Sequence, residues 1–203
     1  GKFITFEGID GAGKSSHVEW LAETLRQRGL VVKVTREPGG TELGEKLRGL
    51  LLSESMHLET ETLLMFAARR EHLAQVIEPA LKRGEWVVCD RFLESSRAYQ
   101  GMAGDLGDEF VLALHQLGSE GFLPDRTLVL DLPDEAINVR AEERDHGRES
   151  DRIGGRALAY HRRVAQAFRE FSAQDPARVR LIDASGEREE VTARLLAAVN
   201  DLA

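Results

Sequence analysis

Five short apolar runs recur along the chain: KFITFE at 2–7, LVVKVT at 30–35, EWVVCD at 85–90, RTLVLDL at 126–132 and RVRLID at 178–183. Longer segments with apolar residues every three or four positions separate them, so the pattern predicts strands alternating with helices. That alternation implies an α/β fold in which a five-stranded parallel sheet is covered by helices on both faces, a three-layer α/β/α arrangement. In the first helical segment Val18, Leu21, Ala22 and Leu25 share one stripe, and Gly29 stands where a C-terminal cap is needed. Segment 60–83 carries Leu63, Leu64, Phe66, Ala67, Leu73, Val76 and Ile77. It predicts a long, largely buried helix that kinks or restarts at Pro79.

Composition narrows this picture. With 203 residues, 42% of them hydrophobic, the chain can bury one sizeable core, and no repeat or linker divides it. We therefore expect a single domain over 1–203. The one compositional shift is at 140–156, RAEERDHGRESDRIGGR, dense in charge and glycine, which reads as a mobile surface flap. A net charge of −8 argues against general nucleic-acid binding, which needs many cations on phosphates. The single cysteine, Cys89, excludes an internal disulfide, and neither a signal pattern nor a membrane-length apolar run is present. A cytoplasmic protein with no membrane partner is expected.

The chemistry begins between the first strand and the first helix. GIDGAGKSS at 8–16 places Gly8, Gly13, Lys14 and Ser15 at the spacing of a phosphate-binding loop. Backbone N–H groups from Gly8, Ile9, Asp10, Gly11, Ala12, Gly13, Lys14, Ser15 and Ser16 would surround the phosphates of ATP at the helix N-terminus. Lys14 would reach the β- and γ-phosphates, and the Ser15 hydroxyl would ligate Mg²⁺. The loop alone does not choose among GTPases, motors and small-molecule kinases. No Asn-Lys-x-Asp segment for guanine is present, since the only asparagines are Asn138 and Asn200. A motor would be longer and carry a basic track. A small-molecule kinase needs an acceptor pocket beside the loop and cations to hold two phosphates together. TREPGG after the second strand and CDRFLESS after the third supply Arg36, Glu37, Asp90 and Arg91 at the carboxyl ends of strands, where ligands of such sheets bind.

EGIDGAGKSS, TREPGG, LMFAARREHL, CDRFLESSRAYQG and the flap RDHGRESDRI, in this order and spanning essentially the whole chain, resemble the bacterial thymidylate kinases. These are nucleoside monophosphate kinases of the P-loop class. The resemblance implies a five-stranded parallel sheet with a mobile lid at about 140–156, Mg²⁺-dependent phosphoryl transfer from ATP to dTMP giving dTDP and ADP, and a homodimer. It also implies residue roles. Phe66 would stack on the pyrimidine while Arg70, four residues on and about 5–6 Å away at Cβ on the same helix face, donates to its O4 carbonyl. Ser96 and Gln100 would read the base, and Tyr99 would crowd the sugar 2′ position. Arg91 and Arg48, with Arg36 nearby, would grip the acceptor phosphate; Arg48 falls opposite the Leu43, Leu47, Leu50 and Leu51 stripe. Glu37 would orient these groups or a metal-bound water, Asp90 would support Mg²⁺, and Asp10 would contact the 3′-hydroxyl or the metal shell.

Some members of this family carry an arginine inside the phosphate loop, whereas this chain has Asp10, Gly11, Ala12 and Gly13 there. The positive charge that follows the transferred group must come from elsewhere. Arg140, Arg144, Arg148 and Arg152 are spaced by four, so they would line one side of a helix. Arg148, with Arg144 or Arg152, is expected on the phosphates, and Arg140 against the adenine. No general base is required, because the acceptor phosphate oxygen is already anionic. Two rival readings remain open at this point: a related kinase for dUMP, dCMP or a nucleoside, and a regulatory protein that keeps the loop without turnover.

Overall fold

The computed structural model describes residues 1–136, 152–153 and 156–202; Arg140, Arg144 and Arg148 lie outside the described residues. Five strands, β1 (Phe3–Glu7), β2 (Val32–Arg36), β3 (Trp86–Asp90), β4 (Arg126–Asp131) and β5 (Val179–Asp183), form one parallel sheet in the order β2-β3-β1-β4-β5. All five predicted runs are strands. β1 is buried along its length, as a central strand covered on both faces must be. Its side chains alternate between two apolar clusters. Ile4 and Phe6 join Val88, Leu128 and the α1 (Lys14–Gln27) residues Val18, Leu21 and Leu25. Phe3 joins Val87, Cys89, Phe66, Leu73 and Ile77 on the opposite face.

Helix α1 ends as its sequence predicts, with Gly29 left-handed at φ 86° just past the last turn. Helix α2 (Glu42–Ser53) starts at Thr41, whose side chain accepts from the Gly44 N–H at 2.9 Å. Helix α3 (Leu58–His72) runs without a break through a π-helical turn (Leu73–Ile77) into α4 (Glu78–Lys82), with Pro79 in the first turn of α4. The segment expected to be largely buried is buried on one side only. Leu63 is 55% exposed and Ala67 is also exposed, because one side of α3 faces outward while Glu61, Thr62, Phe66, Arg69 and His72 face the interior. A short helix α5 (Leu93–Ser96), a second π-helical turn (Arg97–Met102) and α6 (Asp108–Ser119) follow β3; α7 (Leu158–Gln174) and α8 (Arg188–Ala197) flank β5. Among the described residues no helix is long and apolar enough to cross a membrane.

Register brings the site together. β1 pairs with β3 through Phe6 and Asp90, β2 with β3 through Arg36 and Asp90, and the ladder continues from the Arg91 N–H to the Phe6 carbonyl at 2.9 Å. The ends of β1, β2 and β3 are therefore flush. The strand order reverses direction at β1, and the loop that follows β1 opens into the crevice at the carboxyl edge.

Candidate active site

The loop after β1 turns sharply because two glycines permit it. Gly8 has φ 131°, and a Cβ there would stand 2.6 Å from the Leu130 carbonyl oxygen. Gly13, left-handed at φ 83°, swings the chain into α1. The first N–H groups of α1 thus face the crevice with no intrahelical acceptor. Ile9 and Ala12 are buried, so the loop presents its backbone outward and its side chains inward. The Lys14 ammonium bends over the loop, donating to the Gly8 and Ile9 carbonyls at 3.1 and 2.9 Å. Burial, and after it the Arg91 guanidinium, lower its pKa to about 8, so it stays cationic at neutral pH.

One cavity of about 430 Å³ runs from this loop to α2, α3 and the second π-helical turn. Its floor is Arg91, at φ 72° just beyond β3, whose guanidinium donates to the Gly8 carbonyl, the Ser95 hydroxyl and Asp10, the last at 2.6 Å. The guanidinium also lies 5.1 Å from the Tyr99 ring centre. Arg36 stands at the rim, paired with Glu45 at 2.9 Å. Arg48 reaches the cavity from α2 and donates to the Pro38 carbonyl at 3.0 Å. The leucine stripe expected opposite it does not form the inner face of α2: Leu43 and Leu50 are exposed, whereas Gly44 and Leu51 are buried on the side that Arg48 shares.

The expected base-reading pair is corrected by one residue. Phe66 is 4% exposed, packed in the core rather than on the cavity, and Arg70 points away to Glu78 at 2.9 Å. The positions that line the cavity are Met65 and Arg69. Arg69 is buried, with Nε donating to Glu37 at 2.7 Å and one terminal nitrogen donating to the Phe92 carbonyl and the Ser96 hydroxyl at 2.9 and 3.0 Å. Its guanidinium carbon lies 4.7 Å from the ring centres of both Phe66 and Phe92. Its other terminal nitrogen is buried with no hydrogen-bond partner. A buried cationic N–H without an acceptor is costly, and a ligand oxygen would satisfy it. Two adjacent arginines in the sequence differ by about 100° around a helix, and only packing chooses between them.

Both Glu37 carboxylate oxygens are engaged within the protein. Glu37 is buried between Arg69 and His72, which outweigh burial and hold its carboxyl below the usual range; the His72 ring lies 3.0 Å from it and 2.6 Å from the Thr35 hydroxyl on its other side. It fixes Arg69. Asp90 lies 3.4 Å from the Ser15 hydroxyl through one oxygen, while its other oxygen is buried and unpartnered. Tyr99, Ser96 and Gln100 all line the cavity. Gln100 donates to Glu61 at 2.8 Å, and Glu61 also takes Arg152 and Arg156. Arg152 is thereby held by Glu61 and by the Leu51 carbonyl, to which its Nε donates at 3.1 Å. Arg69 and Glu61 escape sequence reading; the sign available was that Glu37, a charge in a strand-end turn, needs a buried cation.

The thymidylate kinase family model matches residues 6–195. A curated thymidylate kinase of Rhizorhabdus wittichii is 51% identical over 206 residues, covering 100% of this chain and 98% of that protein. One of Bordetella petrii is 50% identical over 203 residues, covering 100% and 97%. A crystal structure of thymidylate kinase from Ehrlichia chaffeensis superposes with a TM-score of 0.80 at 30% identity, covering 98% of each chain.

Proposed function

The chain belongs to the thymidylate kinase family and transfers a phosphoryl group from ATP to dTMP, a step towards dTTP; from that premise we propose how its residues divide the work. The observation that carries the proposal is one cavity lined at one end by the phosphate loop and Arg91 and at the other by Arg69, which keeps one buried nitrogen without a partner.

ATP lays its phosphates along 8–16, with Lys14 on the β- and γ-phosphates. The dTMP phosphate sits between that loop and Arg91, with Arg48 and Arg36 approaching from the opposite wall, so an acceptor oxygen faces the γ-phosphorus. The oxygen–phosphorus bond forms as the bond to the β-phosphate oxygen breaks, and the cations neutralise charge on both nucleotides; positioning and electrostatics carry the transfer without a general base. Arg69 takes the O4 carbonyl of the base, in place of Arg70. Met65 and Phe92 supply the apolar walls, Gln100 meets N3–H, and Tyr99 borders the sugar.

The Ser15 hydroxyl and the unpartnered Asp90 oxygen are hard oxygen donors suited to Mg²⁺ shared with phosphates and water. Among the described residues no cluster of three or more His, Cys, Asp or Glu that could hold a metal ion is present. Bound there, Mg²⁺ would screen the β- and γ-phosphate charge. The charge that follows the transferred group is assigned to Arg148 with Arg144, and Arg140 to the adenine. The protein is proposed to be cytoplasmic and a homodimer, formed through the outward face of α3 and through α6, where Leu63, Phe110 and Leu117 are exposed.

ADP formation from ATP and Mg²⁺, compared across dTMP, dUMP, dCMP, UMP, AMP and thymidine, tests the reading. Preferential turnover of dTMP is expected. ATP binding with no acceptor-dependent ADP would favour a nucleotide-binding regulator instead.

A further inference from the structure

Glu61 has no exposed surface and stands on α3 four residues before Met65 and eight before Arg69, on the face that meets the cavity. Its carboxylate collects donors from two directions. One oxygen accepts from the Gln100 carboxamide nitrogen at 2.8 Å, and the other accepts from Arg152 and Arg156 at 2.5 and 2.8 Å. A carboxylate facing three donors can only accept, so it decides which way the Gln100 amide is turned. With the nitrogen held inward, the carbonyl oxygen is the atom Gln100 has left for the cavity it lines. The two arginines are also tied to the cavity walls: Arg152 through the Leu51 and Leu52 carbonyls, and Arg156 through Tyr160, which itself donates to the Tyr99 carbonyl.

We propose that Glu61 is the positioning residue for base selection: it fixes Gln100 as a hydrogen-bond acceptor towards the acceptor base and shares the same carboxylate with Arg152 and Arg156. This rests on Gln100 facing the pyrimidine. An acceptor suits thymine and uracil, which carry N3–H, and leaves cytosine, whose N3 is itself an acceptor, facing lone pair against lone pair. The arginines act as the lock. Because they occupy one carboxylate oxygen with charged donors, Glu61 cannot be replaced by a neutral amide of the same shape without consequence. In Glu61→Gln the two guanidinium groups would claim the single carbonyl oxygen, since charged donors bind more strongly. The new amide nitrogen would then face Gln100, whose own carboxamide must turn and present N–H to the cavity.

The test is kcat/KM for dTMP and dCMP in the full-length enzyme. Glu61→Gln is expected to lower dTMP turnover mainly through KM and to narrow the dTMP preference by about tenfold or more, the factor carried by one buried hydrogen bond. Glu61→Asp keeps two acceptor oxygens and should restore the preference even if total activity falls. Equal losses for dTMP and dCMP in Glu61→Gln would mean a merely structural role and overturn the inference. Gln100→Leu separates the two levels: if it leaves the preference unchanged, the reading of Gln100 and the inference both fall; if it narrows the preference and Glu61→Gln does not, the inference alone falls. Should Glu61→Gln not fold, the wild-type complex with dTMP decides by NMR. A scalar coupling through the hydrogen bond from the Gln100 amide nitrogen to the Glu61 carboxylate carbon supports the inference, and its absence overturns it.

Discussion

Exchanging Arg69 or Arg70 for lysine separates the two faces of α3 with the charge unchanged. Arg69 makes three directed bonds, to Glu37, the Phe92 carbonyl and the Ser96 hydroxyl, and holds one further nitrogen unpartnered. A lysine ammonium can stay near Glu37 but cannot span the fork and also reach the cavity. The loss at the substrate is one hydrogen bond from a charged donor to a base carbonyl, about 1.5–3 kcal/mol. That corresponds to a fall of about 10- to 150-fold in kcat/KM for dTMP, with KM for ATP unchanged. Arg70 pairs with Glu78 at 2.9 Å with both side chains at least 31% exposed. Such a pair contributes about 0–1 kcal/mol, so Arg70→Lys should stay within about threefold of wild type. Coupled ADP formation with dTMP varied, alongside thermal unfolding to certify that each variant is folded, reads both effects. A tenfold loss in Arg70→Lys with Arg69→Lys nearly intact would refute the assignment and return the base to the other face of the helix.

Three further outcomes follow from the geometry. Asp90→Asn keeps the shape beside Ser15 but removes the charge, and should raise the Mg²⁺ concentration needed for half-maximal rate by about tenfold; an unchanged Mg²⁺ titration would exclude Asp90 from the metal. Glu7, buried beneath Arg91 and bonded to Ser95 and the Phe92 N–H, is raised by burial and by Glu94 from 4.5 to about 7. Its folded form holds the proton more tightly, so its contribution is full below pH 4.5 and is lost as pH rises through about 7. Glu7→Gln should therefore gain on wild type by up to about 3 kcal/mol between pH 5 and 8 in urea unfolding, and parallel pH profiles would sink the idea. Finally, Leu117, 85% exposed on α6, is a candidate dimer contact; Leu117→Arg should shift sedimentation towards the monomer, and an unaltered oligomer would remove that face from the interface.

Much of this protein is settled locally. The central strands β1, β3 and β4 were readable because burial on both faces demands a near-continuous apolar run, and the partly exposed edge strands β2 and β5 kept enough apolar positions to be recognised; the ends of these runs placed Arg36, Glu37, Asp90 and Arg91 at one edge. The phosphate loop was readable because its conformation depends on glycines within the same nine residues, at φ values side chains rarely adopt. Helix phase was a different matter. On α3 the apolar residues surround the axis, so no single stripe says which side faces the sheet, and a step of one residue turns a side chain by about 100°. Packing against Phe92 and Glu37 put Arg69 inward and Arg70 outward, and packing of α2 likewise brought Arg48 to the cavity. Glu61 was the least legible residue of all. Its partners lie 39, 91 and 95 residues away, and a buried carboxylate acquires its role from donors that only the folded chain assembles around it.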